Sequence, residues 1–184
     1  MGHPKPLLKI RAETFVAHLA AVMLKVVTRL TIVVGAHADH IRPAIPADQR
    51  INVVNNLDWV RGQLSSIKVG IRALPADASG ALIHLTDHPT VKAETFAAVV
   101  DGYRQSRKPI AIARHGGHRG HPVLFDRSLF AELLDAPEDQ GARAVVNADA
   151  SRVVYVDVDD PGILLDLDTP EDLARAGLEL PAKV

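Results

Sequence analysis

The chain has 184 residues, with 21 basic and 22 acidic side chains and a formal net charge of −1. This balance argues against a protein that coats nucleic acid or another polyanion. The absence of cysteine excludes disulfides, thiolate metal sites and a cysteine nucleophile. No apolar run approaches the roughly 20 residues of a membrane helix, and the N-terminus lacks an export signal. We therefore expect a cytoplasmic protein, folded as a single domain over residues 1–184, that binds neither nucleic acid nor membranes.

Short apolar runs alternate with helical patterns along the whole chain. The runs rich in β-branched residues predict strands at 30–34, 51–54, 81–85, 109–113, 121–125 and 152–156, and a shorter one at 163–165. Apolar residues at three- and four-residue spacing predict helices at 13–26, 63–74, 92–104, 141–147 and 170–176. This alternation predicts a three-layer α/β/α sandwich with a mostly parallel sheet, whose ligands bind beyond the carboxyl ends of the strands.

Asp87 follows the predicted strand 81–85, so its carboxylate is expected at the functional edge of the sheet. Magnesium is commonly held by one or two carboxylates together with phosphate oxygens. Asp87 is therefore a candidate metal ligand. Alternatively, it caps the helix that starts near Lys92, as acidic residues in strand–turn–helix connections often do.

Asp166 and Asp168 form a second acidic cluster. At strand spacing the two side chains share one face, and Asp168, nearer the following loop, is the better candidate to meet Asp87 over a shared ion. Alternatively, Asp168 caps the helix that begins near Pro170, where Glu171 and Asp172 would favour the helix dipole.

Two further segments carry groups suited to phosphate or base contacts. Lys5 offers a point charge for a phosphate chain, and Gly2 would allow close backbone approach, although either is also ordinary at a surface. After Asn56, the residues Gly62, Gln63, Ser65 and Ser66 open a helix, whose N-terminus supplies backbone donors and side-chain hydrogen bonds. The alternative is a simple helix cap at this turn.

The run from His115 to His121 predicts a glycine-rich loop that lines a substrate cleft, with Arg119 facing an anion. Its histidine spacing fits neither a helical zinc pair nor a closed four-ligand site. The chain also has no P-loop, no dinucleotide-binding glycine motif and no serine-hydrolase elbow.

In their order and spacing, these motifs resemble those of the MobA-like NTP transferases, most closely the molybdenum cofactor cytidylyltransferase branch. The matching residues are Gly2, Lys5, Asn56, Trp59, Gly62, Ser65, Ser66, Asp87, Gly120, His121, Pro122 and the run from Asp166 to Leu173. The resemblance implies that Lys5 binds phosphate and that Asp87 and Asp168 hold the metal. It also implies that the segment from Asn56 to Ser66 contacts the base. His88 stands where the family more usually has Gln or Met.

The resemblance implies a Rossmann-like fold of the nucleotide-diphospho-sugar transferase type and a Mg²⁺-dependent reaction. In that reaction a nucleoside monophosphate passes from its own triphosphate, CTP or GTP, to a phosphorylated acceptor such as molybdopterin. CMP is expected in preference to GMP, and a molybdoenzyme is the further partner. The family's opening strand and glycine-rich loop have no counterpart before Gly2, so we expect an N-terminally truncated member. The alternative function is a non-catalytic carrier of a nucleotide or of the molybdenum cofactor.

Overall fold

The central feature of the fold is a mixed four-stranded sheet. The computed structural model describes residues 4–10, 12–167 and 172–173. The elements in chain order are β1 (Lys9–Ile10), β2 (Glu13–Thr14), α1 (Phe15–Met23), β3 (Leu30–Val34), α2 (Ala38–Ile41), β4 (Ile51–Asn55), α3 (Gln63–Arg72), β5 (Gly80–Ile83), α4 (Ala93–Ser106), β6 (Ile110–His115), β7 (His118–Asp126), α5 (Phe130–Asp135), α6 (Arg143–Asn147) and β8 (Val153–Asp157).

The four-stranded sheet has the order β5-β7-β6-β8. β6 and β8 are parallel, whereas β7 runs antiparallel to both β5 and β6, so three of the four strands point the same way. β3 and β4 form a separate parallel pair, with Leu30 opposite Ile51. β1 and β2 form a short antiparallel ladder near the start of the chain.

The four-stranded sheet is buried on both faces, as β6 shows. Ile110 and Ile112 pack into one core with residues of α3, α5 and α6. Ala111 and Ala113 point to the opposite face and pack into a second core with residues of α1 and α4. Each large apolar side chain buried in this way contributes roughly 1.5–3 kcal/mol. The predicted three-layer α/β/α architecture is therefore confirmed.

Helix α1 begins later than the sequence predicts. Glu13 and Thr14 pair with β1 instead of entering the helix, and the Thr14 hydroxyl accepts a hydrogen bond from the Ala17 N–H at 3.3 Å. Thr14 therefore acts as the N-cap of α1. Helices α3 and α4 agree with their predicted bounds to within two residues.

Two local predictions are wrong. Residues 163–165 do not form a strand, because Pro161–Leu164 is a 3₁₀ turn in which the Asp160 carboxylate accepts from the Gly162 N–H. The segment 115–121 is part of a β-hairpin rather than an irregular loop. Gly116 and Gly117 make its two-residue turn with φ of 56° and 84°, which suits glycine. Arg119 lies in β7 and donates a hydrogen bond to the Asn147 side-chain oxygen at 3.2 Å.

Of the predicted helix at 170–176, only residues 172 and 173 belong to the described part of the chain, and both are helical. Within the described ranges, no helix is long and apolar enough to cross a membrane.

Candidate functional site

Two adjoining depressions form a cleft beyond the carboxyl end of β3. One has a volume of about 400 Å³ and reaches from Gly35 to Trp59. The other, of about 340 Å³, reaches to Lys5 and to Thr86, which follows β5. Both are lined by the segment 35–37, so they meet there. The cleft lies where ligands bind in open α/β sheets.

Asp87 lies next to Thr86 and faces Lys5. The Asp87 Oδ2 atom is 3.9 Å from the Lys5 Nζ atom, and both side chains are about one-third exposed or less. The Asp87 Oδ1 atom is buried and has no hydrogen-bond partner within the described part of the chain. The structure thus brings together two predicted site residues that are far apart in sequence. The His88 Nε2 atom lies 3.8 Å from the buried Asp87 Oδ1 atom.

The start of helix α4 is bound by the carboxylate of Asp160 and not by that of Asp87. The Asp160 Oδ2 atom accepts from the Lys92 N–H at 2.9 Å and from the Thr95 hydroxyl at 2.6 Å. Asp160 is only 2% exposed. The alternative interpretation of Asp87 as the cap of this helix is therefore wrong. Sequence analysis missed Asp160, whose local signal is the Asp-Pro-Gly turn at 160–162.

Three histidines cluster beside Asp87. The ring of His88 lies 5.5 Å from that of His121 and 6.3 Å from that of His84, between ring centroids. Burial lowers the pKa of His84 to about 3, although its hydrogen bond to the His88 carbonyl opposes this change. Burial, and next the nearby His88, lower the pKa of His121 to about 4. His84 and His121 are therefore uncharged at neutral pH.

The segment 165–167 is bound to the Asp87 turn by two hydrogen bonds. The Leu167 N–H donates to the Asp87 carbonyl at 3.0 Å, and the His88 Nδ1 atom lies 3.1 Å from the Leu165 carbonyl oxygen. Leu167 is fully buried in a small core with Leu8, Phe15 and Leu173.

The second acidic cluster is only partly described. Asp166, which lies between the two hydrogen-bonded positions, is exposed. Asp168 and Gly2 lie outside the described residues. Among the residues that are described, no three His, Asp or Glu side chains are arranged to hold a metal ion by themselves.

Asn56, Ser65 and Ser66 form a hydrogen-bond network inside the loop between β4 and α3. The buried Asn56 amide donates to the Ser65 and Ser66 hydroxyl oxygens at 2.8 and 2.9 Å. The side-chain amide oxygen of Asn56 accepts from the Asp58 N–H at 3.0 Å. The Ser65 hydroxyl donates toward the Gly62 carbonyl oxygen, 2.7 Å away. These contacts fix the loop beside Trp59, which lines the cleft.

The remaining predicted site residues occupy different environments. Gly62 has φ of 97° and open space where a Cβ would lie, and Gln63 at the start of α3 is exposed. Gly120 lies against the 3₁₀ turn at 161–164, because a Cβ there would come within 2.2 Å of the Ile163 carbonyl oxygen. His121 belongs to the histidine cluster near Asp87.

Polar residues in α2 and directly before it also line the cleft, and the sequence patterns did not single them out. His37 lines both depressions, and Asp39 and His40 line the larger one. His37 has φ of 59°, in the left-handed region. The available signal was Gly35 directly after the β-branched run of β3, which places the residues that follow at the carboxyl edge.

Comparison with known proteins identifies relatives over nearly the whole chain. The molybdenum cofactor cytidylyltransferase of Escherichia coli (strain K12) is 24% identical over 177 residues, which cover 96% of this chain and 88% of that protein. The crystal structure of Rv0371c from Mycobacterium tuberculosis H37Rv has a TM-score of 0.77 at 27% identity, covering 96% of this chain and 90% of that one. A structure of Rv0371c in complex with manganese has a TM-score of 0.73 at 28% identity, covering 95% and 91%.

The family model of the MobA-like NTP transferase domain matches residues 1–153. This match spans most of the chain, including the strands and loops that build the cleft. The E. coli relative is a cytidylyltransferase, and the solved structures share the Rossmann-like fold seen here. The chain therefore belongs to the MobA-like NTP transferase domain family, whose members are nucleotidyltransferases of the EC 2.7.7 type.

Proposed function

We propose that the chain transfers CMP, in preference to GMP, from a nucleoside triphosphate to a phosphorylated acceptor, with molybdopterin as the acceptor and a molybdoenzyme as the next partner. The observation that carries this proposal is the convergence of Lys5 and Asp87 at the cleft, with their charged atoms 3.9 Å apart. The likeness to the E. coli cytidylyltransferase supports the choice of CMP and of molybdopterin.

In the proposed reaction, a phosphate oxygen of the acceptor forms a bond to the α-phosphorus of CTP. The bond from the α-phosphorus to the oxygen that bridges to the β-phosphate breaks, and its electron pair leaves with pyrophosphate. The Lys5 ammonium, at the mouth of the smaller depression, stabilises the negative charge of the leaving pyrophosphate.

The residues at the cleft fit a hard divalent cation. Mg²⁺ prefers one or two carboxylates completed by phosphate oxygens and water, so a site with few protein ligands is what it requires. We propose that the Asp87 carboxylate, whose Oδ1 atom makes no hydrogen bond within the described chain, supplies one such ligand and that Asp168 supplies the second. When bound, Mg²⁺ would neutralise charge on the phosphate oxygens. The manganese complex of Rv0371c supports a divalent metal in this fold.

The loop from Asn56 to Ser66 is the proposed base-contacting segment. Its hydrogen-bond network fixes the loop beside Trp59, which lines the larger depression, and we propose that Gly62 and Gln63 contact the nucleotide from the same loop. We propose that Gly2 approaches the phosphates, and that Gly120 and His121 shape the acceptor side of the site.

Steady-state kinetics with CTP, GTP and molybdopterin test the proposal through pyrophosphate release. We expect Mg²⁺-dependent turnover that favours CTP and is abolished by a chelator. Asp87→Asn should lower kcat/KM by about 10²-fold or more, since it removes one charged metal ligand. The matched control is Asp101→Asn, on the exposed surface of α4, which should retain wild-type turnover. Wild-type turnover in Asp87→Asn would refute the proposed site. Tight CTP binding without turnover would instead identify a carrier.

A further inference from the structure

His88 lies in the same turn as Asp87, and the proposed reaction does not use it. It follows Asp87 directly and is 9% exposed. Its Nε2 atom lies 3.8 Å from the Asp87 Oδ1 atom, beyond hydrogen-bond distance. Its Nδ1 atom lies 3.1 Å from the carbonyl oxygen of Leu165, which is distant in sequence.

The contact with Leu165 determines which nitrogen of the ring carries a hydrogen. A carbonyl oxygen can only accept, so the Nδ1–H group must be the donor. The Leu165 carbonyl oxygen therefore binds the Nδ1 side of the imidazole ring, and the Nε2 atom lies on the other side. This hydrogen bond joins the Asp87 turn to a segment that is not part of the same sheet.

The same segment makes a second contact with the Asp87 turn. The Leu167 N–H donates to the Asp87 carbonyl oxygen at 3.0 Å, and the Leu167 side chain is fully buried. The two hydrogen bonds therefore bracket Asp166 and dock the residues that immediately precede Asp168. Of the two contacts, only the one from His88 comes from a side chain and can be removed by substitution.

We propose that His88 is a positioning residue for the metal site, which rests on the proposed function above. It holds the Asp87 turn against the segment 165–167, and in this way it fixes the position from which the Asp87 carboxylate reaches the cation. It does not contact the cation or the reacting phosphate itself. Residues that orient metal ligands in this way typically change metal affinity by 10- to 100-fold when they are replaced.

The chemistry of the hydrogen bond gives a sharp test. The amide nitrogen of asparagine occupies nearly the position of Nδ1, whereas the amide of glutamine extends to that of Nε2. His88→Asn keeps the donor to Leu165, His88→Gln keeps a polar side chain of similar size without that donor, and His88→Leu removes all polarity. His118→Leu, at the exposed hairpin turn, is the control for loss of a histidine.

The measurement is Mn²⁺ binding to the full chain with a non-hydrolysable CTP analogue, followed by electron paramagnetic resonance. We expect His88→Leu and His88→Gln to weaken Mn²⁺ binding by about 10-fold or more. His88→Asn and His118→Leu should stay within about 3-fold of wild type. Circular dichroism checks that each variant folds, and if His88→Leu does not, the comparison of the Gln and Asn variants decides.

Two results would overturn the positioning role. Equal Mn²⁺ affinity in all His88 variants would show that the contact with Leu165 is dispensable for the site. Equal weakening in the Asn and Gln variants would show that the Nδ1 donor is not the property that matters. Asp87→Asn, measured alongside, separates this inference from the proposed function. If it binds Mn²⁺ like wild type, the proposed metal site itself is wrong, whatever the His88 variants do.

Discussion

Replacing Asp160 with alanine removes three hydrogen bonds that end on a single buried carboxylate. The donors are the Lys92 N–H, the Thr95 hydroxyl and the Gly162 N–H, at 2.9, 2.6 and 3.0 Å. Two of them belong to the start of α4 and one to the 3₁₀ turn at 161–164. Asp160 therefore joins the helix that follows the Asp87 turn to the segment that docks on that turn.

The cost of this replacement follows from the contacts. Asp160 is the N-cap of the 3₁₀ turn, and loss of an N-cap typically costs about 1 kcal/mol. Each of the two donors at the start of α4, left unpaired in a buried site, costs about 1 kcal/mol or more. We therefore expect Asp160→Ala to lower the free energy of unfolding by about 3 kcal/mol. For a chain of this length, that loss corresponds to a decrease in Tm of about 6–12 °C.

Urea denaturation and differential scanning calorimetry measure the effect. Asp159→Ala is the matched control, because its side chain is exposed and the replacement removes the same charge. Asp160→Asn should have an intermediate effect, since an amide oxygen can still accept but the amide nitrogen cannot. A loss below about 1 kcal/mol for Asp160→Ala would refute the assignment of Asp160 as a structural cap.

Two further predictions concern stability. Asn56→Ala leaves the Asp58 N–H without its acceptor and removes both amide donors of the loop network, so it should cost about 2–3 kcal/mol in urea denaturation. Asn52→Ala, at an exposed position in β4, should change stability by less than about 0.5 kcal/mol, and equal losses would contradict the network's role. Burial lowers the pKa of His84 from 6.5 to about 3. As the pH falls below 6.5, His84 therefore binds a proton in the unfolded chain before it does so in the folded protein. Its contribution to the free energy of unfolding decreases as a result. Between pH 7.0 and 5.5, His84 should account for a decrease of about 1.2 kcal/mol in the free energy of unfolding, and His84→Gln should abolish this decrease. An unchanged pH dependence of stability in that variant would show that His84 is not buried in its neutral form.

The strand pattern of the sequence predicts most of the sheet, because β-branched runs buried on both faces leave a strong local signal. The strand prediction at residues 163–165 is wrong because the preceding Asp-Pro-Gly turn forms its own hydrogen bonds and imposes a 3₁₀ conformation. The hairpin at 115–118 was missed because two adjacent glycines suit both a flexible loop and a tight turn. Only the pairing of β6 with β7 distinguishes the two.

The candidate site was predictable where it depends on the order of strands and loops. The meeting of Lys5 with Asp87 agrees with the predicted placement at the carboxyl edge. The contacts of Asp160 and His88 were not predictable, since each joins segments that are more than sixty residues apart. Such contacts depend on how helices and turns pack, which periodicity in a single sequence does not specify.

The Asn56 network has a consequence for how this protein would tell one nucleobase from another. Both amide hydrogens of the buried Asn56 already bind serine oxygens, so its side chain has no donor left for a nucleobase. Discrimination between cytosine and guanine would then fall to main-chain groups of the loop, whose shape the network preserves. Replacing exposed side chains at the edge of the cleft should therefore change the base preference less than substitutions that distort the loop.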